Sequence, residues 1–217
     1  MSKRVALILA GSGVYDGSEI YETTLTLLRL SQQGAQVQCF APNIEQMHVI
    51  NHLTGEEMPE KRNVLVEAAR LARGEIKDLA EAKADDFDAL IIPGGFGVAK
   101  NLCNFAVVGK DMQLNPQVKA FAQAMHQAKK PVGLVCIAPV MSAAIFGEGV
   151  SCTIGHDKDT AEAINAMGAT HQSCNVNAIH YDETHKLVTT PAYMEAKSIA
   201  EAAEGINLLV DKVLSLA

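Results

Sequence analysis

Residues 131–139 read PVGLVCIAP, an apolar run that ends abruptly in Cys136. A small, apolar segment of helical character, Ala138–Phe146, follows at once. A buried strand, a tight turn that carries a reactive side chain and a helix directly behind it form the pattern of a nucleophile elbow. Because a helix N-terminus lowers the pKa of a nearby thiol, the pattern predicts a reactive thiolate at Cys136. The alternative is an inert cysteine of the core, since cysteines are often buried.

The rest of the chain alternates short β-branched runs with amphipathic helical patterns, which predicts a parallel sheet covered on both faces. Strands are predicted at residues 4–10, 36–41, 88–92 and 132–136, with a short strand at 150–154 and a hairpin formed by 176–181 and 186–190. Helices are predicted at 19–33, 116–129, 157–167 and 195–216. We therefore expect an α/β fold, a three-layer sandwich with a mostly parallel central sheet, as one domain over residues 1–217. Residues 43–86 are predicted to be a surface elaboration with helices at 63–73 and 75–84.

The composition excludes several classes of partner. The net charge of −7 argues against nucleic acid and anionic membranes, since both need a basic face. No apolar run is long enough to cross a bilayer, and the N-terminus does not have the pattern of a signal peptide. The cysteines are odd in number and form no Cys-x-x-Cys pair, so we expect free thiols and a reducing cytoplasm. They are residues 39, 103, 136, 152 and 174.

Three predicted strand ends carry groups that a catalytic site needs, and ligands of open parallel sheets bind at that edge. Cys136 follows one strand, Gly94-Gly95 follows another, and the first helix, with its two glutamates, follows the third. The N–H groups of Gly94, Gly95 and Ile137 are candidate donors to an oxyanion. The alternative is that the two glycines only form a tight turn, since a short glycine motif is a weak signal.

Acid–base candidates lie on either side of the cysteine in the sequence. Glu19 and Glu22 begin the first predicted helix, although acidic residues there also stabilise a helix N-terminus without any catalytic role. His156 follows a predicted strand and a glycine, a position that suits an acid or base. No group has zinc-ligand spacing, and Asp16 occupies the third glycine position of a dinucleotide loop, so we predict no metal and no cofactor.

The motifs together resemble a known superfamily. Ile91–Gly95, Val135-Cys136 and Thr153–His156 are similar to those of the PfpI superfamily, which includes the Parkinson disease protein 7-like proteins and is related to class I glutamine amidotransferases. The finer patterns at 11–19, 96–102 and 188–194 resemble its ElbB-like branch, which has been called isoprenoid-biosynthesis-associated, amidotransferase-like and a glyoxalase. The resemblance implies a class I glutamine amidotransferase-like, or flavodoxin-like, fold. It also implies that the glutamate facing the elbow cysteine is Glu22.

The sequence departs from these relatives at two places. Many of them have Cys-Ala-Gly or Cys-x-Gly at the elbow, whereas Ile137 follows the cysteine here and is expected to narrow the site. The amidotransferases carry a histidine and a glutamate near the C-terminus, but residues 190–195 contain no histidine, which counts against glutaminase activity.

The resemblance implies a cofactor-independent and glutathione-independent glyoxalase that converts glyoxal to glycolate, and methylglyoxal to lactate, through a hemithioacetal of Cys136. Either His156 or Glu22 would be the base. A protein deglycase acting on early glyoxal adducts and a redox-sensing thiol are the alternatives. A protease is disfavoured because no acidic residue is predicted to orient His156. The expected partners are a small dicarbonyl substrate and a second copy of the chain in a homodimer, with neither nucleic acid nor membrane.

Overall fold

The computed structural model describes residues 2–217 and contains a seven-stranded sheet in the order β3-β2-β1-β4-β5-β9-β8. All neighbouring strands are parallel except β8 and β9, which form the predicted hairpin. A separate two-stranded sheet pairs β6 with β7. The strands are β1 (Arg4–Ile8), β2 (Gln36–Ala41), β3 (Ile76–Asp78), β4 (Ala89–Ile92), β5 (Val132–Val135), β6 (Ser151–Cys152), β7 (Thr170–His171), β8 (His180–Asp182) and β9 (Leu187–Thr190).

Helices cover both faces of the large sheet. They are α1 (Ile20–Gln32), α2 (Val64–Leu71), α3 (Phe105–Val108), α4 (Pro116–Gln127), α5 (Ser142–Phe146), α6 (Lys158–Ala166) and α7 (Ile199–Leu216). Side chains alternate along β1, so that Val5 and Leu7 join the core beneath α1 and α7, whereas Ala6 and Ile8 join the core beneath α4. The predicted three-layer α/β sandwich with a mostly parallel sheet is therefore confirmed.

The region predicted as a surface elaboration is partly built into the sheet. The predicted helix at 63–73 is present as α2, but the helix predicted at 75–84 is wrong. Residues 76–78 instead form the edge strand β3, in which Ile76 pairs with Cys39 of β2, and two short 3₁₀ turns follow. Pairing with β2 satisfies backbone groups that an isolated surface helix would have left at the sheet edge.

Two segments near the carboxyl edge of the sheet are less helical than predicted. The segment behind Cys136 is a 3₁₀ turn, Ala138–Met141, followed by the short α5. The C-terminal helix begins at Ile199 and not at Glu195, because the side chain of Ser198 caps it by accepting from the Glu201 N–H. Glu195 is therefore in a loop. No helix within residues 2–217 has both the length and the hydropathy needed to cross a membrane.

Candidate functional site

Cys136 is the first residue after β5, and its backbone is strained. Its φ angle is +62°, in the left-handed region that residues other than glycine rarely adopt, and its N–H donates to the Thr190 carbonyl at 2.9 Å. Strain of this kind costs about 1–3 kcal/mol and is concentrated at functional sites. The side chain is only 7% exposed. These are the features expected of a nucleophile elbow, here with the thiol facing inward from the end of a central strand.

Glu22 lies beside the thiol and is completely buried on the first turn of α1. Its Oε2 accepts from the Gly94 N–H at 2.8 Å and its Oε1 accepts from the Tyr193 N–H at 3.1 Å, and the Cys136 thiol lies next to it over Gly94. Its position is therefore fixed by the loops after two different strands. The structure thus brings together the cysteine and the glutamate that the sequence predicted.

Gly94 has a different role from the one predicted. Its N–H is occupied by Glu22 and is not available to an oxyanion. A Cβ at this position would overlap the Cβ of Cys136 and lie 2.6 Å from Glu22 Oε2, so only glycine lets the two reactive groups meet. The N–H groups of Gly95 and Ile137, in contrast, both donate to the sulfur of Cys136. The predicted set of three donors is thus reduced to two that reach the sulfur.

Burial dominates the electrostatics of the pair. It raises the pKa of Glu22 from 4.5 to about 7, an effect that the backbone N–H of Tyr193 opposes and the charge of Glu19 reinforces. Burial and the neighbouring Glu22 charge also raise the pKa of the Cys136 thiol well above its ordinary value. Burial therefore opposes the thiolate that was predicted from a helix dipole. Its physical basis is weak here, because a 3₁₀ turn and a five-residue helix follow the cysteine.

A cavity of about 470 Å³ opens beside Cys136. Most of its wall is apolar, and the only carboxylates among the described lining residues belong to Glu19 and Asp157. It is lined by Val14, Glu19, Gly95, Phe96, Ala99, Phe105, Ala106, Cys136, Ile137, Asp157, Thr160, Tyr193 and Met194. Cys136 thus lines a largely apolar space that a substrate could enter, together with Gly95 and Ile137, the two residues whose N–H groups face its sulfur.

His156 does not line this cavity, and it is half exposed. Its Nδ1 lies 3.1 Å from Oε1 of Glu195, and the same oxygen accepts from its backbone N–H at 2.6 Å. This acidic partner was not predicted from the sequence, because Glu195 was expected to lie inside the last helix. The expectation that nothing orients His156 is therefore wrong. The only available signal was Ser198, a favourable helix cap that begins α7 after Glu195.

Other polar clusters do not add a metal site. Within residues 2–217, no group of three or more His, Cys, Asp or Glu side chains is arranged to hold a metal ion. All five cysteines are free thiols, and burial raises the pKa of Cys39, Cys103 and Cys152 to about 11 in each case. Of these cysteines, Cys136 alone combines a strained backbone with a carboxyl partner.

Known proteins share both the sequence and the fold. A human protein, glutamine amidotransferase-like class 1 domain-containing protein 3, mitochondrial, is 50% identical over 98% of this chain and 83% of its own length. A crystal structure of an isoprenoid biosynthesis protein with an amidotransferase-like domain from Ehrlichia chaffeensis covers 99% of both chains at 36% identity, with a TM-score of 0.92. The structure of glyoxalase III from Candida albicans, at 15% identity and a TM-score of 0.61 over 99% of this chain and 97% of its own, shares the fold.

The human relative is mitochondrial by name, which contradicts the cytoplasmic location predicted here. The physical reason is that unpaired cysteines indicate a reducing environment without identifying the compartment. The resemblance inferred from the elbow, the Gly-Gly turn and the strand before His156 is confirmed. The DJ-1/PfpI family model matches residues 3–176, and the chain belongs to the DJ-1/PfpI family.

Proposed function

We propose that the protein is a cofactor-independent glyoxalase in which Cys136 is the nucleophile and Glu22 is the base. The reaction adds water to glyoxal and gives glycolate, and methylglyoxal gives lactate in the same way. One observation carries the proposal: a fully buried carboxyl group, whose pKa burial raises to about 7, lies next to the thiol at a strained turn. A base whose pKa lies near neutral pH is suited to moving protons under physiological conditions.

The first step is addition of the thiol to one aldehyde carbon. As the S–C bond forms, the Glu22 carboxylate takes the thiol proton, so the high pKa of Cys136 does not require a free thiolate. Negative charge then develops on the aldehyde oxygen. The N–H groups of Gly95 and Ile137, which meet the sulfur in the free protein, are the proposed donors to that oxygen. Return of the proton from Glu22 gives the hemithioacetal.

The second step moves a hydrogen between the two carbons. Glu22 removes the proton bound to the hemithioacetal carbon, and the electron pair passes to the second carbonyl, whose oxygen is protonated. Reprotonation at the second carbon, with loss of the proton from the hydroxyl group of the former hemithioacetal carbon, leaves a thioester, which water hydrolyses to release glycolate and the thiol. One carbon is oxidised and the other reduced, so no external oxidant is needed. Glu22 is preferred to His156 as the base because Glu22 lies next to the sulfur, whereas His156 is half exposed and paired with Glu195.

The other functions considered have less support from the geometry. A redox sensor needs an accessible thiol of low pKa, whereas Cys136 is 7% exposed and its pKa is raised by burial. A deglycase would use the same thiol and base, and no feature of the site favours an adduct over a free dicarbonyl. The homodimer stays a prediction.

The test is formation of glycolate from glyoxal, followed by NMR in a buffer without amines or added thiols. We expect catalytic turnover by the wild type and a loss of at least about a thousandfold in Cys136→Ser, since removal of a nucleophile abolishes most of an enzyme's rate enhancement. Cys174→Ser is the matched control, because that half-buried thiol does not line the cavity and should be dispensable. Equal loss in both variants, or no turnover by the folded wild type, would refute the proposal.

A further inference from the structure

The cavity beside Cys136 is much larger than glyoxal needs. Its volume of about 470 Å³ lies within the range of about 300–1,000 Å³ that is usual for sites of drug-sized ligands. Glyoxal consists of two carbonyl groups and nothing else. A substrate bonded to Cys136 would therefore leave most of the space unfilled, unless a substituent on its second carbonyl occupied it.

The walls indicate what kind of substituent would fit. The apolar lining residues include Val14, Phe96, Ala99, Phe105 and Met194. Phe96 is half exposed, so its ring has area left to be covered by a ligand. Apolar surface removed from water on both partners contributes favourably to binding, and a planar or branched apolar group would gain most from these walls.

The charges indicate what would not fit. Among the described residues that line the cavity, Glu19 and Asp157 are acidic and none is basic. Both carboxylates are held in place as helix caps, since Glu19 accepts from the Glu22 N–H at 2.6 Å and Asp157 accepts from the Thr160 N–H at 2.9 Å. An anionic substituent would meet two acidic side chains and no cation in the lining.

Two basic groups adjacent to the cavity have partners elsewhere. The Nζ of Lys100 lies 5.9 Å from the centre of the ring of Phe96, which lines the cavity. This Nζ donates to the Tyr15 carbonyl at 2.8 Å. His156, next to Asp157 in the chain, is paired with Glu195. The arrangement therefore lacks the Arg or Lys clamp that usually recognises carboxylate or phosphate.

We propose that the preferred substrates are 2-oxoaldehydes that carry a bulky, apolar and uncharged substituent, and that the site discriminates against those with a carboxylate or phosphate. This inference rests on the proposed glyoxalase function of Cys136. For an aryl substrate, phenylglyoxal and water give mandelate. The aldehyde carbon is oxidised to the acid, the ketone carbon is reduced to the alcohol, and the migrating hydrogen passes through Glu22 as in the reaction of glyoxal.

The experiment compares kcat/KM for glyoxal, phenylglyoxal and 4-carboxyphenylglyoxal with the purified full-length protein. We expect phenylglyoxal to exceed glyoxal by about tenfold or more, because an apolar pocket discriminates by about that factor for each well-placed group. The carboxylated compound should fall below phenylglyoxal by about tenfold, since each of two nearby carboxylates contributes a few-fold repulsion through partly hydrated space. Equal values for phenylglyoxal and glyoxal, or for the two aryl compounds, would overturn the inference.

Variants separate the contribution of the protein from the intrinsic reactivity of the aldehydes. Asp157→Asn should reduce the ratio of kcat/KM for phenylglyoxal to kcat/KM for its carboxylated analogue by about threefold. Asp159→Asn is the matched control, since Asp159 lies on the same turn of α6 and does not line the cavity.

Phe96→Ala should lower the ratio of kcat/KM for phenylglyoxal to kcat/KM for glyoxal by about fivefold. Val107→Ala is the matched control and should leave that ratio unaltered, because Val107 is exposed next to the lining residue Ala106 and does not itself line the cavity.

The failures of the two proposals can be told apart. If glyoxal is turned over in a Cys136-dependent way but the aryl compound is not preferred, the glyoxalase function stands and the substrate class proposed here is wrong. If neither Asp157→Asn nor Phe96→Ala alters its ratio, the discrimination does not come from this cavity and the inference fails as well. If the folded protein converts none of the three aldehydes, the glyoxalase function itself is refuted.

Discussion

Two glutamates support the two reactive side chains that the sequence predicted, and their surroundings differ sharply. Glu22 is fully buried on α1 and lies next to Cys136, while two loop N–H groups fix its oxygens. Glu195 is about one quarter exposed in a loop, and one of its oxygens contacts both the ring and the backbone N–H of His156. Each region therefore presents a carboxylate, a partner and a backbone anchor.

The comparison shows that burial, more than the presence of a partner, decides what a carboxyl group can do. At Glu22 the loss of solvation raises the pKa to about 7, so the group can gain and lose a proton at neutral pH. The pair of His156 and Glu195 remains in contact with water, where such pairs contribute little energy. The proposed function therefore places proton transfer in the first region, and the second region positions a loop.

The largest expected effect follows from removing the buried base. Glu22→Gln keeps the shape of the side chain but cannot accept a proton, so kcat/KM for glyoxal should fall by about a hundredfold to ten-thousandfold. The measurement is the initial rate of glycolate formation at neutral pH. Glu204→Gln makes the same chemical change on the exposed face of α7 and should leave the rate unchanged.

A second readout distinguishes a base from a merely structural residue. In the wild type, kcat/KM should rise with pH through about 7 as Glu22 loses its proton and becomes able to accept one from the thiol. The residual activity of Glu22→Gln should not show that rise. A variant that loses activity but keeps the wild-type pH profile would indicate that Glu22 only shapes the site.

The next effect concerns stability, and its sign follows from the raised pKa. Between the unfolded pKa of 4.5 and the folded pKa of about 7, the folded protein binds more protons at Glu22 than the unfolded chain does. The free energy of unfolding should therefore fall as the pH rises through this window, by about 3 kcal/mol from this group. Denaturant unfolding at pH 5 and pH 8 measures the difference.

The control for this effect is again a glutamine substitution. In Glu22→Gln the loss of stability between pH 5 and pH 8 should be smaller than in the wild type by about the same 3 kcal/mol, whatever the variant's absolute stability. Glu204→Gln should retain the wild-type dependence. An unchanged pH dependence in Glu22→Gln would mean that the carboxyl group is solvated, and the contrast between the two regions would disappear.

The elbow region was predictable because its determinants are local in the sequence. The apolar run into Cys136 specifies a buried strand, and the glycines of Gly94-Gly95 directly follow another. The resemblance added Glu22. What the sequence did not reveal is how the N–H groups are shared. Gly94 donates to Glu22 because the side chain reaches it from another strand end, and only the folded arrangement shows this.

The region around Glu195 was not predictable for the opposite reason. Residues 195–216 have a helical pattern throughout, and within that window only Ser198, as a favourable cap, indicates that the first four residues lie outside the helix. The 3₁₀ turn Ala192–Met194 and the cap at Ser198 leave Glu195 in a loop that meets the segment of His156. The edge strand β3 was missed similarly, because its pairing with β2 is a tertiary contact that overrides weak local helix propensity.

The smallest expected effect tests the second region directly. Glu195→Gln retains an oxygen that can accept from the His156 N–H and removes only the negative charge beside the ring. Because a partly exposed pair of this kind is worth about 1 kcal/mol or less, kcat/KM for glyoxal should change by about fivefold at most, and His156→Gln should behave alike. A loss of a hundredfold in both variants would transfer the role of base to His156. Burial would then not be what distinguishes the two carboxylates, and the raised pKa of Glu22 would be a consequence of packing rather than a part of the chemistry.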